Sequence, residues 1–146
     1  MNMTIKQIRR WAAAVAAICL LTLFLPLYGM TAFAATARIA FSDPTASVGS
    51  EINVKMKITS SDNLSTADIM LAYDPGSLEF IEGTNAEGGN GAVRVHGNGG
   101  GANTTTLAYD LKFKASAAGT SKITVTSQEI YDASSQIVTV DKQGES

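Results

Sequence analysis

Residues 64–83 read Leu-Ser-Thr-Ala-Asp-Ile-Met-Leu-Ala-Tyr-Asp-Pro-Gly-Ser-Leu-Glu-Phe-Ile-Glu-Gly, and their pattern decides the fold. Ala67, Ile69, Leu71 and Tyr73 alternate with Thr66, Asp68, Met70 and Ala72, the period of two that puts one face of a strand in a core. Asp74-Pro75-Gly76-Ser77 then sets proline, whose ring fixes φ, ahead of a glycine free to take positive φ, which predicts a type II turn. A second short apolar run follows at residues 78–81.

The same alternation recurs along the chain. Residues 36–42 set Ala37, Ile39 and Phe41 against Arg38 and Ala40, and residues 51–60 set Ile52, Val54, Met56 and Ile58 against Asn53, Lys55 and Lys57. Residues 104–116 do so with Leu107, Tyr109, Leu111 and Phe113, and shorter strands are expected at 92–96, 123–125, 129–132 and 136–140. Glycines crowd residues 88–101, which reads as the loosest part of the domain. No stretch repeats apolar residues at helical spacing, and turn signals recur at short intervals. The expected fold is therefore all-β, a β-sandwich of jelly-roll type with about nine strands.

The first residues are of another kind. Lys6, Arg9 and Arg10 precede an apolar run over residues 11–27, Pro26 and Gly29 break it, and Ala32-Phe33-Ala34 follows. This is the plan of a signal peptide with cleavage after Ala34, and Ala35-Thr36-Ala37 is the competing site. Residues 1–34 are thus expected to leave, and residues 35–146 to form one domain that is secreted and free of the membrane. Cleavage removes Cys19 and Trp11, the only cysteine and the only tryptophan, so the domain must be stable without a disulfide. Three of the eleven basic residues and none of the thirteen acidic ones lie in the leader, which leaves a net charge of about −5 and disfavours nucleic acid as a partner.

Several motifs in order resemble the cohesin family, secreted bacterial β-sandwich modules that bind dockerins in cellulosome-type assemblies. The opening strand leads into Val48-Gly49-Ser50-Glu51-Ile52-Asn53-Val54, similar to the family's V-G-x-x-V-x-V. The Ala67-Asp68-Ile69 strand ending in Tyr73-Asp74-Pro75 follows, then Leu111-Lys112-Phe113-Lys114-Ala115, Ala118-Gly119 and Ile123-Thr124-Val125. The resemblance implies a non-catalytic module with no cofactor or metal of its own, whose partner is a dockerin-bearing protein with calcium held by the dockerin. It departs from the family at residues 92–96, where a longer hydrophobic strand of the partner-binding face is usual.

Candidate contacts follow from parity and resemblance together. If Ala67, Ile69 and Leu71 face inward, Thr66, Asp68 and Met70 face outward. In a cohesin the corresponding strand presents an Asx-x-Asp pair to the dockerin, which Thr66 and Asp68 match in position. Asp68 would accept hydrogen bonds from Ser or Thr hydroxyls, or pair with a Lys or Arg, on a dockerin helix; an exposed residue of a solvated sheet is the bland alternative. By the same parity Arg94, His96 and Asn98 face outward if Val93 and Val95 face in.

No catalytic set is visible. His96 has no evident acid to orient it, and Asp74, Glu79 and Glu82 read as solvated residues in or beside a turn. The rival function is direct binding of polysaccharide by a carbohydrate-binding sandwich. Such a site needs flat aromatic faces, and only Phe41, Tyr73, Phe80, Tyr109, Phe113 and Tyr131 remain after cleavage, at least four of them on the apolar parity. A divergent adhesin-like structural module is a further alternative.

Overall fold

The computed structural model describes residues 34–98 and 103–144. The expected signal peptide up to residue 33, and residues 99–102, lie outside the described residues.

Among the described residues nine strands are formed: β1 (Thr36–Phe41), β2 (Glu51–Ser60), β3 (Leu64–Tyr73), β4 (Leu78–Gly83), β5 (Ala86–Gly89), β6 (Ala92–Asn98), β7 (Thr106–Ala115), β8 (Ile123–Asp132) and β9 (Thr139–Gln143). They are hydrogen-bonded in the order β8-β3-β6-β5-β4-β7-β2-β1-β9. All pairs are antiparallel except β1 with β9. The sheet turns its corner at β4–β5, which share only the pair Gly83↔Ala86. Its two ends nearly meet, where Tyr131 bridges Ile137 and the Val138 N–H donates to the Ile130 carbonyl at 2.8 Å. The result is an all-β, nearly closed, barrel-like sandwich.

The alternation seen in the sequence fills its interior. Ile69, Leu71, Val93 and Val95 from one side and Ile39, Val54, Met56, Ile58, Leu111 and Phe113 from the other are buried in one cluster. Each such side chain contributes about 1.5–3 kcal/mol relative to exposure. Phe113 on β7 takes Tyr73 and Phe80 edge to face, with ring centroids at 5.2 and 5.4 Å; Tyr73 ties β3 to β7 across the core, and Phe80 is the cross-strand neighbour of Phe113 on β4.

Four features differ from the sequence expectation, each for a local reason. The Asp74–Ser77 turn is not type II, because Gly76 does not take positive φ. The Asp74 carbonyl accepts from both the Ser77 and Leu78 N–H groups, while its carboxylate accepts from the Gly76 N–H at 2.9 Å and the Ser77 hydroxyl at 2.6 Å. Aspartate at the first position thus winds the turn right-handed and overrides the Pro-Gly signal.

Residues 123–132 form one strand rather than two. A bulge where β3 passes from Met70 to Leu71 adds Thr126 to β8, so the inward parity passes from Ile123 and Val125 to Gln128 and Ile130. The strand expected at residues 136–140 is displaced to Thr139–Gln143, because residues 136–138 are drawn to the end of β8.

β5 was not expected at all. Asn90 and Gly91, at φ 53° and 95°, make the tight reversal joining it to β6. Asn-Gly is the preferred pair for such a hairpin turn. Gly88 is required there, since a Cβ would lie 2.2 Å from the Ala92 carbonyl oxygen.

Candidate functional site

The outward residues of β3 and β6 meet rung by rung. The register pairs Thr66 with Asn98, Asp68 with His96 and Met70 with Arg94, so the six candidate contacts lie on one face of two adjacent strands. Val93, Val95 and Gly97 point inward beneath them. Gly97 lies over Tyr109: a Cβ there would stand 3.1 Å from the ring and its hydroxyl. The short side chain lets β6 lie close over that ring. Burial pushes the Tyr109 hydroxyl pKa upward.

The face extends over both neighbouring strands. Asp68 is directly across from Glu129 on β8, Thr66 from Tyr131 and Met70 from Ser127. On the other flank Glu87 of β5 is across from Arg94. These neighbours escaped the sequence reading because register between strands 30 or 60 residues apart is not written in either strand. For β5 alone a local signal existed, the Asn90-Gly91 pair.

Asp68 and Arg94 form the strongest contact on the face. The guanidinium donates from Nε to Oδ1 at 2.9 Å and from Nη2 to Oδ2 at 2.6 Å. Arg94 reaches diagonally, since its own cross-strand partner is Met70. The side chains are 28% and 47% exposed, so the pair is open to a partner. The hydrogen bond from Arg94 holds the Asp68 carboxyl below its usual range against a smaller opposing effect of burial.

His96 Nδ1 stands 3.5 Å from Asp68 Oδ2, so an acid does lie beside the histidine, contrary to the sequence expectation. That carboxylate is turned to Arg94, at shorter distances than to the imidazole.

The other acids keep structural or solvated places. Asp74 braces its turn and Glu82 pairs with Lys112 at 2.6 Å on the opposite sheet. Among the described residues no group of three or more His, Cys, Asp or Glu is placed to hold a metal ion. Among the described residues no aromatic ring is fully exposed: Tyr73, Tyr109 and Phe113 are buried, and Phe41, Phe80 and Tyr131 are half-buried. A cavity of about 560 Å³ opens between residues 43–48 and 117–121, and none of the six face residues lines it.

No protein-family model matches the sequence, and no curated protein matches it. Solved structures do. The sixth cohesin of Acetivibrio cellulolyticus scaffoldin B, in complex with a mutant Cel5 dockerin, is similar over 75% of this chain and 96% of its own, with 19% identity and TM-score 0.60. A cohesin–dockerin complex from Clostridium thermocellum gives TM-score 0.63 at 15% identity, covering 75% of this chain and 96% of the other. A non-cellulosomal cohesin from the archaeon Archaeoglobus fulgidus gives 0.58 at 22% identity, covering 77% and 88%. This chain has the fold of cohesin domains.

Proposed function

We propose that residues 35–146 are a non-catalytic, cohesin-like module that binds a dockerin-bearing protein through the outward face of β8, β3, β6 and β5. The observation that carries the proposal is the register: six residues singled out as contacts form three successive rungs on one face of a cohesin fold. Two of the similar cohesins described above are themselves complexes with dockerins. Calcium would belong to the dockerin's loops. The natural role of such a pairing is to gather polysaccharide-degrading enzymes on a scaffold, although one similar cohesin is described as non-cellulosomal. Direct polysaccharide binding is the weaker alternative, because among the described residues no fully exposed ring offers a platform.

The module is proposed to be secreted by a bacterium after removal of residues 1–34. Support for cleavage after Ala34, rather than after Ala37, comes from β1: Ala37 is buried and pairs with Ser60 and Val140. Cutting at the later site would remove the start of that strand.

Calorimetric titration of the purified domain with dockerins of the same organism, with calcium and with chelator, tests the docking role. Saturable binding that chelation abolishes without unfolding this domain is expected. Retention on cellulose or xylan with no dockerin binding would replace docking by the carbohydrate reading.

A further inference from the structure

We infer that Arg94 sets the partner specificity of the docking face: by holding Asp68 at two points in the free protein, it makes the group that docks over Asp68 an uncharged hydroxyl rather than a lysine or arginine. This deepens, and rests on, the docking role proposed above.

The geometry supplies the reason. A carboxylate accepts at several lone pairs, and Arg94 has taken one on each oxygen, at 2.9 and 2.6 Å. The remaining lone pairs are reachable, since the Asp68 side chain is 28% exposed. The guanidinium also keeps N–H donors that Asp68 does not use. Acceptor and donor therefore stand side by side. A Ser or Thr hydroxyl matches both, donating to Asp68 and accepting from Arg94. An ammonium or a second guanidinium can only donate, and it must approach a cation already in place.

Desolvation points the same way. A lone carboxylate covered by a partner helix would need a cation from that partner, whereas Asp68 enters the interface already neutralised. The charged groups around the pair leave this unchanged: His96 Nδ1 stands 3.5 Å from Asp68 Oδ2, farther than either Arg94 donor, Glu129 is across from Asp68, and Glu87 is across from Arg94. Both glutamates are exposed, so a basic partner residue finds an acceptor there instead. Lysine at position 94 would not substitute, because only the planar fork engages both oxygens at once.

Two measurements test the inference. In the first, the carboxyl of Asp68 is followed by carbon NMR as pH is lowered, in the wild type and in Arg94→Met, which keeps the apolar stem. A titration that moves upward in the variant is expected, and one unmoved by the substitution overturns the inference whatever the partner. In the second, a calcium-loaded dockerin that binds the wild type is compared with versions in which each Ser or Thr of its recognition helix is changed in turn to Lys. At the position over Asp68 the Lys version should bind the wild type at least about 10-fold more weakly. With Arg94→Met the gap should close or invert, while Arg94→Lys should recover only part of the selectivity. An equal gap in wild type and Arg94→Met, or no gap in the wild type, overturns the inference with docking intact. If no dockerin binds the wild type, the docking role itself fails and the partner choice falls with it. Amide spectra of each variant confirm that it is folded.

Discussion

The two outward faces of this sandwich are built from the same alternation and end in different surfaces. On β2 and β7 the outward residues Glu51, Asn53, Lys55, Lys57, Asp110 and Lys114 are exposed, and Lys112 pairs with Glu82 at 2.6 Å and approaches Glu51 at 4.0 Å. That is a solvated ladder of long side chains. On β3 the outward residues Thr66, Asp68, Met70 and Ala72 are all half-buried, and the charge of β3 and β6 is gathered into the Asp68–Arg94 pair. Period alone tells which side of a strand is wet. Side-chain length and cross-strand pairing tell whether the wet side is shaped for a partner: flexible Lys–Glu pairs lose entropy when covered, whereas short side chains and a braced Arg lose less.

The largest effects are expected where the two sheets are alike, in their shared interior. Ile69→Ala on β3 and Ile58→Ala on β2 both remove fully buried methyl groups, and each should cost about 2–5 kcal/mol of stability in denaturant unfolding. If only one of the pair destabilised the domain, the two sheets would not close over one core. A larger side chain at Gly97, such as Gly97→Val, should cost about 1–3 kcal/mol by displacing the Tyr109 ring, and should weaken docking through the shifted β6. Docking unchanged in a folded Gly97→Val would separate the shape of β6 from the docking face.

Smaller effects distinguish the faces from each other. The Asp68 carboxyl, lowered chiefly by its hydrogen bond from Arg94, contributes stability that is complete above the unfolded-state value of about 3.9 and lost as pH falls through the lower folded value. Asp74 behaves likewise, held down by the Ser77 hydroxyl and then the Gly76 N–H. Thermal melts below about pH 4 should therefore fall, and fall less steeply in Arg94→Met. An identical acid slope in the variant would show that the pair does not hold in solution. Least of all is expected from Lys112→Ala, which removes a solvated bridge and should leave both the melting temperature and dockerin affinity unchanged within error. A loss of affinity there would move the docking face to the opposite sheet.

Much of this contrast was legible before any coordinates. The inward and outward parities of β1, β2, β3, β6 and β7 follow from alternating residues, and so does the outward aspect of the six face residues, whose choice as candidate contacts rests on the resemblance as well. What escaped was set by neighbours rather than by the strand itself. The bulge at Thr126 switches parity within β8 and made one strand read as two. A second bulge between Phe80 and Glu82 leaves Ile81 exposed at 41% although it continues an apolar run. β5 carries Gly88 and Gly89 where a packed strand would carry branched residues, and only its Asn90-Gly91 turn announced it. The Asp68–Arg94 pair spans a diagonal between strands, which no spacing within one strand encodes.

The central claim is that the β3–β6 face, and not its counterpart on β2 and β7, receives the partner. Calorimetric titration of wild type, Asp68→Ala and Lys55→Ala against a dockerin of the same organism, with a thermal melt of each protein, tests it most directly. The account predicts a loss of roughly 30- to 1,000-fold in affinity for Asp68→Ala, with folding changed by less than about 1 kcal/mol, and unchanged affinity for Lys55→Ala. Equal affinity for all three proteins, or a loss confined to Lys55→Ala, would contradict it.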